Sequence, residues 1–416
     1  MGAPDLETIV AHGLCAGCGL CESLAGRARV EMRITSFGQI RPTVKEPLAE
    51  AVMERIRAVC PGIRLDGPDP KQAGAHGRMD AAFGPIRSLH RGWAGDPKIR
   101  HKSAAGGGMT ALGIHLLETG KVDAVLHVRA STTDPVLTDA VVSRTRDAVI
   151  AGSQSRYGPA APLVHVHRLL DEGVRFAVLA KPCDIGAIRN LATIEPRVTE
   201  QIPYLVTIFC GGVPTAHTAR KIAKYVGLEP DELATFRWRG EGWPGPTYMR
   251  SRSGEEKSLT YDYVWYTQDV PWSYDMQYRC KICPDAIGEL ADVACPDGWV
   301  MENGTPVHKE APGQNVFVAR TEKGEALVRE AAAAGAIELA PISFEEFDAM
   351  HSDHKPRKLE GPARRAALKL MGEPFPRYRR FRSWRMVRMN GFWGNLEALL
   401  GGLRRVREGR HLEPLA

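Results

Sequence analysis

The chain has 416 residues, 44% of them apolar, so it is long enough for two or three domains and a sizeable core. It has no signal-peptide pattern and no run of 18 apolar residues, so we expect a soluble cytoplasmic protein without a transmembrane segment. The net charge is +6, but residues 353–416 have 16 lysines and arginines against 6 acidic residues, a balance of +10, which leaves −4 for residues 1–352.

The first segment, residues 1–65, contains a cysteine motif typical of metal binding. Cys15, Cys18 and Cys21 are spaced by two residues each, and Cys60 follows with a proline after it. Three thiolates at this spacing can turn toward one centre, and a remote Cys-Pro can supply the fourth ligand. We therefore predict one 4Fe-4S cluster in a small ferredoxin-like domain. A structural zinc site is the alternative, although such sites usually have two CxxC pairs.

Residues 66–99 are rich in Gly, Pro and Asp with little periodicity, so we expect a linker onto the next domain. A small-residue loop, Lys102–Gly108, then opens a helix whose apolar side chains recur at helical spacing, and a strand is predicted over Val122–Val128. Free N–H groups at such a helix start can bind phosphate. A tight packing turn is the alternative.

A second candidate binding loop is GSQSRYGPAAP, residues 152–162. It combines hydroxyl donors, a cation and an aromatic ring directly before a predicted helix over residues 163–170. These side chains could together contact a polar aromatic ligand.

Residues 174–217 are predicted to form a strand, a helix and a strand. The apolar runs Val174–Ala180 and Tyr204–Phe209 flank a helical segment, Asp184–Leu191, and a cysteine follows each run. A parallel strand pair joined this way places Cys183 and Cys210 together at the carboxyl edge of the sheet, where ligands bind in open α/β sheets. Two buried core cysteines are the alternative.

The remaining third of the chain carries another cysteine pair and a basic tail. An Arg- and Trp-rich turn, FRWRGEGWPGP, precedes Cys280-x2-Cys283, and a strand over 314–320 and a helix over 321–334 are predicted. The tail alternates arginines with aromatic residues, which suits an acidic protein, nucleic acid or an anionic membrane. Alternatively, its helix lies with the arginine stems against the body.

Several motifs occur in order over residues 10–340: CxxCxxC, SAAGGGMTALGIHLLETGKVDAV, GSQSRYGPA, KPCDIGAIRNL, FCGGVPT and CKICPDAIGELADVACPDGW. This combination resembles the coenzyme F420 hydrogenase/dehydrogenase beta-subunit family of iron-sulfur flavoproteins, which also includes reductases of divinyl chlorophyllide and hydroxymethyl chlorophyll a. The resemblance implies an α/β fold with a ferredoxin-like iron-sulfur domain at 1–65. It also implies an FAD-binding and second-cluster domain at 66–345 and leaves a basic helical tail at 346–416.

The resemblance also implies the site residues. It assigns FAD contacts to small and polar residues at the two loops and a strand end: Ser103, Gly106, Gly107, Gly108, Thr110, Ser153, Gln154, Arg156, Tyr157 and Lys181. It assigns a second 4Fe-4S cluster to Cys183, Cys210, Cys280 and Cys283. Lys181 is also our candidate catalytic residue, which would stabilise negative charge on reduced flavin; an ordinary surface lysine is the alternative. Cys295 is expected to be a spare cysteine.

We therefore expect an oxidoreductase that couples FAD hydride chemistry to one-electron transfer through two 4Fe-4S clusters. Its substrate would be a small organic molecule or deazaflavin coenzyme F420. Its partner would be a ferredoxin-like or other redox protein, with no specific nucleic acid and a possible homo-oligomer. Three alternatives are an electron-transfer subunit without its own substrate, a chlorophyllide-type vinyl reductase, and a zinc-binding protein. The chlorophyll-pathway members carry Asp-Tyr-Thr-Asn after the CxxC, whereas this chain has Pro284-Asp285-Ala286.

Overall fold

The structure, a computed structural model, describes residues 4–268, 270–272 and 276–414. The α-helices are α1 (Leu6–Ala11), α2 (Leu20–Ala25), α3 (Glu50–Val59), α4 (Pro97–Lys102), α5 (Gly108–Glu118), α6 (Arg146–Ile150), α7 (Val166–Asp171), α8 (Pro182–Leu191), α9 (Arg197–Gln201), α10 (Ala216–Tyr225), α11 (Tyr261–Tyr266), α12 (Tyr278–Lys281), α13 (Glu322–Ala333), α14 (Phe344–Met350), α15 (Lys355–Leu370) and α16 (Ser383–Arg407).

The strands are β1 (Val30–Ile34), β2 (Ile40–Val44), β3 (Arg64–Asp66), β4 (Arg78–Asp80), β5 (Gly84–Ile86), β6 (Ser88–Ala94), β7 (Ala124–Ala130), β8 (Thr138–Ser143), β9 (Phe176–Leu179), β10 (Leu205–Thr207), β11 (Leu233–Arg237), β12 (Thr247–Ser251), β13 (Glu256–Leu259), β14 (Val293–Ala294), β15 (Val300–Glu302), β16 (Thr305–Val307), β17 (Asn315–Ala319), β18 (Ile337–Ala340) and β19 (Arg377–Arg379).

A mixed eight-stranded sheet in the order β18-β6-β17-β14-β10-β9-β7-β8 organises the described part of the chain. Strands β14, β10, β9 and β7 are parallel, and antiparallel strands extend the sheet on both sides. The predicted strand-helix-strand unit is confirmed, because β9 and β10 pair in parallel on either side of α8 in the sequence. The α/β fold class is therefore confirmed, and parallel strand ends meet at one edge of the sheet.

The core covers both faces of this sheet, as the period-2 alternation of β9 requires. Phe176 and Val178 pack in one apolar cluster with α8 residues such as Ile185. Ala177 and Leu179 point to the other face and pack in a second cluster with residues of α5 and α13. Helices thus lie on both faces, which leaves the carboxyl edge of the parallel strands for the functional site.

The expected linker over residues 66–99 is wrong in its second half. Strand β6 lies inside the sheet between β18 and β17, where His90 is opposite Phe317 and Gly92 is opposite Asn315. The segment SLHRGWA has no clear apolar alternation, so local pattern gave no strand signal. Its pairing is decided by partners more than 220 positions away in the sequence, which a local pattern does not report.

The tail folds against the body. Helix α15 contacts α16 extensively, and β19 pairs in parallel with β3 of the first segment. Near the C-terminus, Arg41 Nη2 lies 2.6 Å from Glu413 Oε1, and both side chains are at most 3% exposed. The tail contains α15, β19 and α16, and Arg357 and Arg380 donate to the backbone carbonyls of Cys210 and Gly67 in the body. None of the helices in the described residues has the length and apolar content to cross a membrane.

Candidate functional site

A cavity opens at the carboxyl edge of β9, β10 and β14, and two loops and the start of α5 complete its wall. Nine of the ten predicted FAD-contacting residues line it: Ser103, Gly107, Gly108, Thr110, Ser153, Gln154, Arg156, Tyr157 and Lys181. Gly106 does not line the cavity, and a Cβ there would lie 2.8 Å from the backbone nitrogen of Asn315. The fold therefore brings the two candidate loops and Lys181 to one place.

Two serine hydroxyls in the cavity wall have no hydrogen-bond partner. Ser103 and Ser153 are 3% and 8% exposed, and neither Oγ atom meets a donor or acceptor among the described residues. An unsatisfied buried hydroxyl costs about 1–3 kcal/mol, so a native structure rarely keeps two beside one cavity without a function. Both hydroxyls fit a polar ligand in the cavity.

The glycines before α5 are required by the backbone and by packing. Gly107 is the N-cap of the helix at φ +73°, a left-handed conformation that favours glycine. A Cβ on Gly108 would lie 2.6 Å from Cζ of Phe317. Asn315 Oδ1 accepts the Gly108 N–H at 2.8 Å, and its Nδ2 donates to the carbonyl of Pro296 at 3.1 Å. Asn315 thus joins the start of this 11-residue helix to the loop after β14, and the helix N-terminus faces the cavity.

Lys181 is buried and paired within the wall. Its Nζ donates to Asp184 Oδ1 and Oδ2 at 2.7 and 2.8 Å and to the Ala160 carbonyl at 3.3 Å, which engages all three N–H donors. Burial lowers the pKa of Lys181, but the Asp184 carboxylate and the nearby Cys183 raise it more, so it lies above its usual value. Burial raises the pKa of Asp184 to about 6. Both groups are therefore charged at neutral pH. Lys181 contributes an ammonium group to the cavity wall, but none of its N–H donors is left for a ligand.

Arg156 and Tyr157 hold the wall together. The Arg156 guanidinium donates to the carbonyls of Pro135, Leu137 and Phe236 at 2.7 to 3.1 Å. Burial lowers the pKa of Arg156 to about 10, which leaves it charged at neutral pH. The Tyr157 ring lies 4.7 Å from that of Trp265 in an edge-on contact. Arg156 therefore anchors the loop through its backbone partners, while Tyr157 adds an aromatic surface.

Arg239 lines the cavity, although the sequence motifs did not predict it as a site residue. Arg239 is 1% exposed, its Nη1 lies 3.0 Å from Asp297 Oδ2, and it also donates to the Tyr157 hydroxyl at 3.2 Å. The aromatic ring of Tyr261 lies 5.1 Å from its guanidinium carbon. The Arg- and Trp-rich turn FRWRGEGWPGP, which contains Arg239, was the sequence feature that could have indicated a site. Only the fold brings Asp297 opposite Arg239. Cys295 also lines this cavity.

The first cysteine set consists of Cys15, Cys18, Cys21 and Cys60, which lie close enough for their charges to interact. Burial and the charge of neighbouring Cys15 together raise the pKa of Cys60 to about 12. Burial likewise raises the pKa of Cys21, with further contributions from Cys18, Cys15 and Cys60. The carbonyl of Cys18 accepts the N–H of Leu163 at 2.9 Å. This contact places the set behind the cavity wall, beside the second candidate loop.

The second cysteine set consists of Cys183, Cys210, Cys280 and Cys283, and all four residues line one cleft. Burial raises the pKa of Cys210 to about 12, and charges on Cys280 and Cys283 add to this effect. Cys210 lines both this cleft and the larger cavity, so the two sites share a wall. Cys295 does not line the cleft. Helix α15 closes one side of it, since Arg357 Nη1 donates to the Cys210 carbonyl at 3.0 Å.

All nine cysteines are free thiols, so none of the eight in the two sets is used in a disulfide. Four thiolates suit either one tetrahedral zinc ion or one 4Fe-4S cluster.

Arg279 is a second residue that the sequence analysis missed. It immediately precedes the Cys280 motif, is 2% exposed, and donates from Nη2 to the Pro61 carbonyl at 3.0 Å. Its Nε and Nη1 atoms have no hydrogen-bond partner among the described residues. Because Pro61 follows Cys60, this buried cation lies between the two cysteine sets and offsets thiolate charge there.

Comparisons with known proteins show the family and the fold of this chain. Residues 89–168 match the N-terminal part of the coenzyme F420 hydrogenase/dehydrogenase beta-subunit family, and residues 173–345 match the C-terminal part of the same family. Coenzyme F420 hydrogenase subunit beta of Methanococcus voltae is 29% identical over 274 residues, 62% of this chain and 86% of that protein.

A second relative is F420-dependent formate dehydrogenase 1 subunit beta of Methanococcus maripaludis, 25% identical over 241 residues, with 57% of each chain covered. The chain therefore spans little more than half of that relative. A chain of the xenon-derivatised F420-reducing [NiFe] hydrogenase complex from Methanosarcina barkeri has the same fold. It superposes with a TM-score of 0.55 at 18% identity, over 72% of this chain and 98% of that one.

Proposed function

Because this chain belongs to the coenzyme F420 hydrogenase/dehydrogenase beta-subunit family, we propose that it is an iron-sulfur flavoprotein oxidoreductase. It exchanges hydride with deazaflavin coenzyme F420 or a related small organic substrate and electrons with a redox protein partner. The observation that carries this proposal is the shared wall at Cys210. On one side lies a cavity with unpartnered hydroxyls and a helix N-terminus, and on the other lies a four-cysteine cleft.

The cavity residues fit FAD. The N-terminus of α5 offers N–H groups and a partial positive charge to phosphates, and Ser103 and Ser153 offer hydroxyls. Lys181 presents the cationic half of its buried ion pair with Asp184 to the cavity, where it would interact favourably with an anionic ring. When bound, FAD supplies both hydride exchange and single-electron transfer, which is the chemistry that connects an organic substrate to clusters.

The cysteine sets fit two 4Fe-4S clusters, one held by Cys15, Cys18, Cys21 and Cys60 and the other by Cys183, Cys210, Cys280 and Cys283. The second set is nearer to the cavity, since Cys210 contributes to both walls. Arg279 and Arg41 place positive charge beside the thiolates, which reduces their mutual repulsion. This arrangement supports an electron path from the cavity through the second set to the first, or the reverse.

A redox partner is supported by the surface of α16 and by the relatives, whose names describe them as subunits. Trp384, Phe392 and Trp393 are 74%, 72% and 77% exposed, and Arg385 and Arg388 are exposed beside them. Exposed tryptophans among arginines are typical of binding surfaces. This face suits an acidic redox protein, so we propose that the chain acts as one subunit of a larger complex.

The test separates the two half-reactions by anaerobic stopped-flow absorbance. Cys18→Ser should stop exchange with a one-electron protein donor, because the first set loses a ligand, but should leave hydride exchange between flavin and reduced coenzyme F420 largely intact. Cys295→Ala, which removes a cysteine outside both sets, is the control for cluster content and should keep its iron and sulfide. A Cys18→Ser protein with the normal rate toward the protein donor would show that the first set is not on the path.

A further inference from the structure

A cluster of two histidines and one glutamate joins the first helix to the tail and contains none of the cysteines. His12 follows α1, Glu373 follows α15 and His411 follows α16. His12 Nδ1 lies 2.7 Å from Glu373 Oε2, and His411 Nε2 lies 3.3 Å from the same oxygen. All three ligand atoms lie within 4.8 Å of one another. Three separate chain segments thus bring two imidazoles and a carboxylate to one point.

The buried His411 side chain also points to a ligand at this cluster. Its side chain is 2% exposed, and neither ring nitrogen has a hydrogen-bond partner with acceptable geometry among the described residues. An imidazole that loses water without gaining a partner costs about 1–3 kcal/mol. A metal bond from one ring nitrogen would satisfy the group that this structure leaves unpartnered. His12 and Glu373 are 28% and 25% exposed, which gives an ion a path from solvent.

The ligand types select the class of metal. Two imidazoles and one carboxylate form the ligand set that zinc uses with a water molecule in the fourth position, and non-haem iron(II) uses the same three ligands with more open positions. Softer ions that prefer thiolates would instead bind the cysteine sets, and magnesium or calcium would need more oxygen ligands. Zinc needs only one further ligand and therefore fits best, with water completing the tetrahedron on the exposed side.

We propose that His12, Glu373 and His411 bind one zinc ion, which fastens the C-terminal segment to the first helix. The segment after α1 packs closely against the C-terminal segment: a Cβ on Gly13 would lie 2.2 Å from the His411 carbonyl oxygen. Two residues beyond His411, Glu413 is paired with the buried Arg41. Zinc adds metal bonds between the segment after α1 and the segment after α16, and its removal loosens the segment after α16.

Zinc content and zinc X-ray absorption of the full chain with its clusters test the proposal. After dialysis against zinc and then buffer, we expect one zinc per chain with nitrogen and oxygen ligands at about 2.0–2.1 Å and no sulfur at about 2.3 Å. His12→Ala and Glu373→Gln, both at partly exposed side chains, should lose this zinc. The matched control is His354→Ala, because His354 pairs with the single carboxylate of Asp353 at 2.8 Å; it should keep the zinc.

A second measurement, limited proteolysis, reports how firmly the segment after α16 is held. Zinc removal by a chelator, or His12→Ala, should speed tryptic cleavage after Arg407 and Arg410 severalfold while the cluster absorbance stays constant. His411→Ala should do the same where it folds. Absence of zinc from the wild-type protein, equal zinc in the wild-type and His12→Ala proteins, or zinc with sulfur ligands would each overturn the proposal.

Discussion

Removal of the Arg279 charge tests the electrostatics of the second cysteine set. The guanidinium is 2% exposed, and only its Nη2 has a hydrogen-bond partner, the Pro61 carbonyl, among the described residues. Burial lowers the pKa of Arg279, but Tyr378, Cys283 and Cys183 raise it more, so the group stays cationic. A cation beside a cluster favours its reduced form, which carries one more negative charge.

We therefore expect Arg279→Met to lower the midpoint potential of the cluster held by Cys183, Cys210, Cys280 and Cys283. At an effective dielectric constant of about 20, Coulomb's law gives roughly 2–4 kcal/mol for two unit charges about 4–8 Å apart. For one electron this energy corresponds to a shift on the order of 100 mV to more negative potential. Arg279→Lys keeps the charge and should therefore shift the potential much less.

The assay is an anaerobic redox titration followed by EPR of the reduced cluster. Arg365→Met is the matched control, since the guanidinium carbons of Arg365 and Arg279 lie 4.9 and 5.2 Å from the centre of the same Tyr378 ring. Burial lowers the pKa of Arg365, and no cysteine charge contributes to it. Equal potentials in the Arg279→Met and Arg365→Met proteins would refute the reasoning.

Three further predictions concern the cofactors and the partner. Gly108→Leu should lose FAD, measured as the flavin-to-protein ratio after gel filtration, because its Cβ would lie 2.6 Å from the Phe317 ring; Gly401→Ala, with nothing within 4 Å, is the control. Wild-type and Cys295→Ala proteins should both contain about eight irons per chain, and about four would contradict two clusters. Trp393→Ser should weaken binding of an acidic redox partner about tenfold without changing the absorbance spectrum. An unchanged dissociation constant would exclude this face.

Much of the candidate site could be predicted from local sequence. The CxxCxxC and CxxC spacings, the glycine loop and the strand-helix-strand segment are short-range patterns, and each reflects a local requirement of ligation, backbone conformation or periodicity. The parallel pairing of β9 and β10 is confirmed for this reason. The assignment of individual residues to FAD and to the clusters stays a prediction.

Other features could not be predicted because they depend on contacts between distant segments. Arg156 has the residue type of a phosphate ligand, yet the fold surrounds its guanidinium with three backbone carbonyls. Arg239 becomes a cavity residue only where Asp297 lies opposite it. The strand β6 similarly follows from partners in β17 and β18.

The sequence by itself determined which chemical groups are present and in which order: two cysteine sets, a glycine-rich helix start, and a basic tail. Only the tertiary structure decided which of them share a wall, because parallel strand ends converge at one edge whatever their separation in the chain. That convergence places Cys210 between cavity and cleft. The folding of the tail onto the first helix likewise brings His411 to His12, although about 400 residues separate them along the chain.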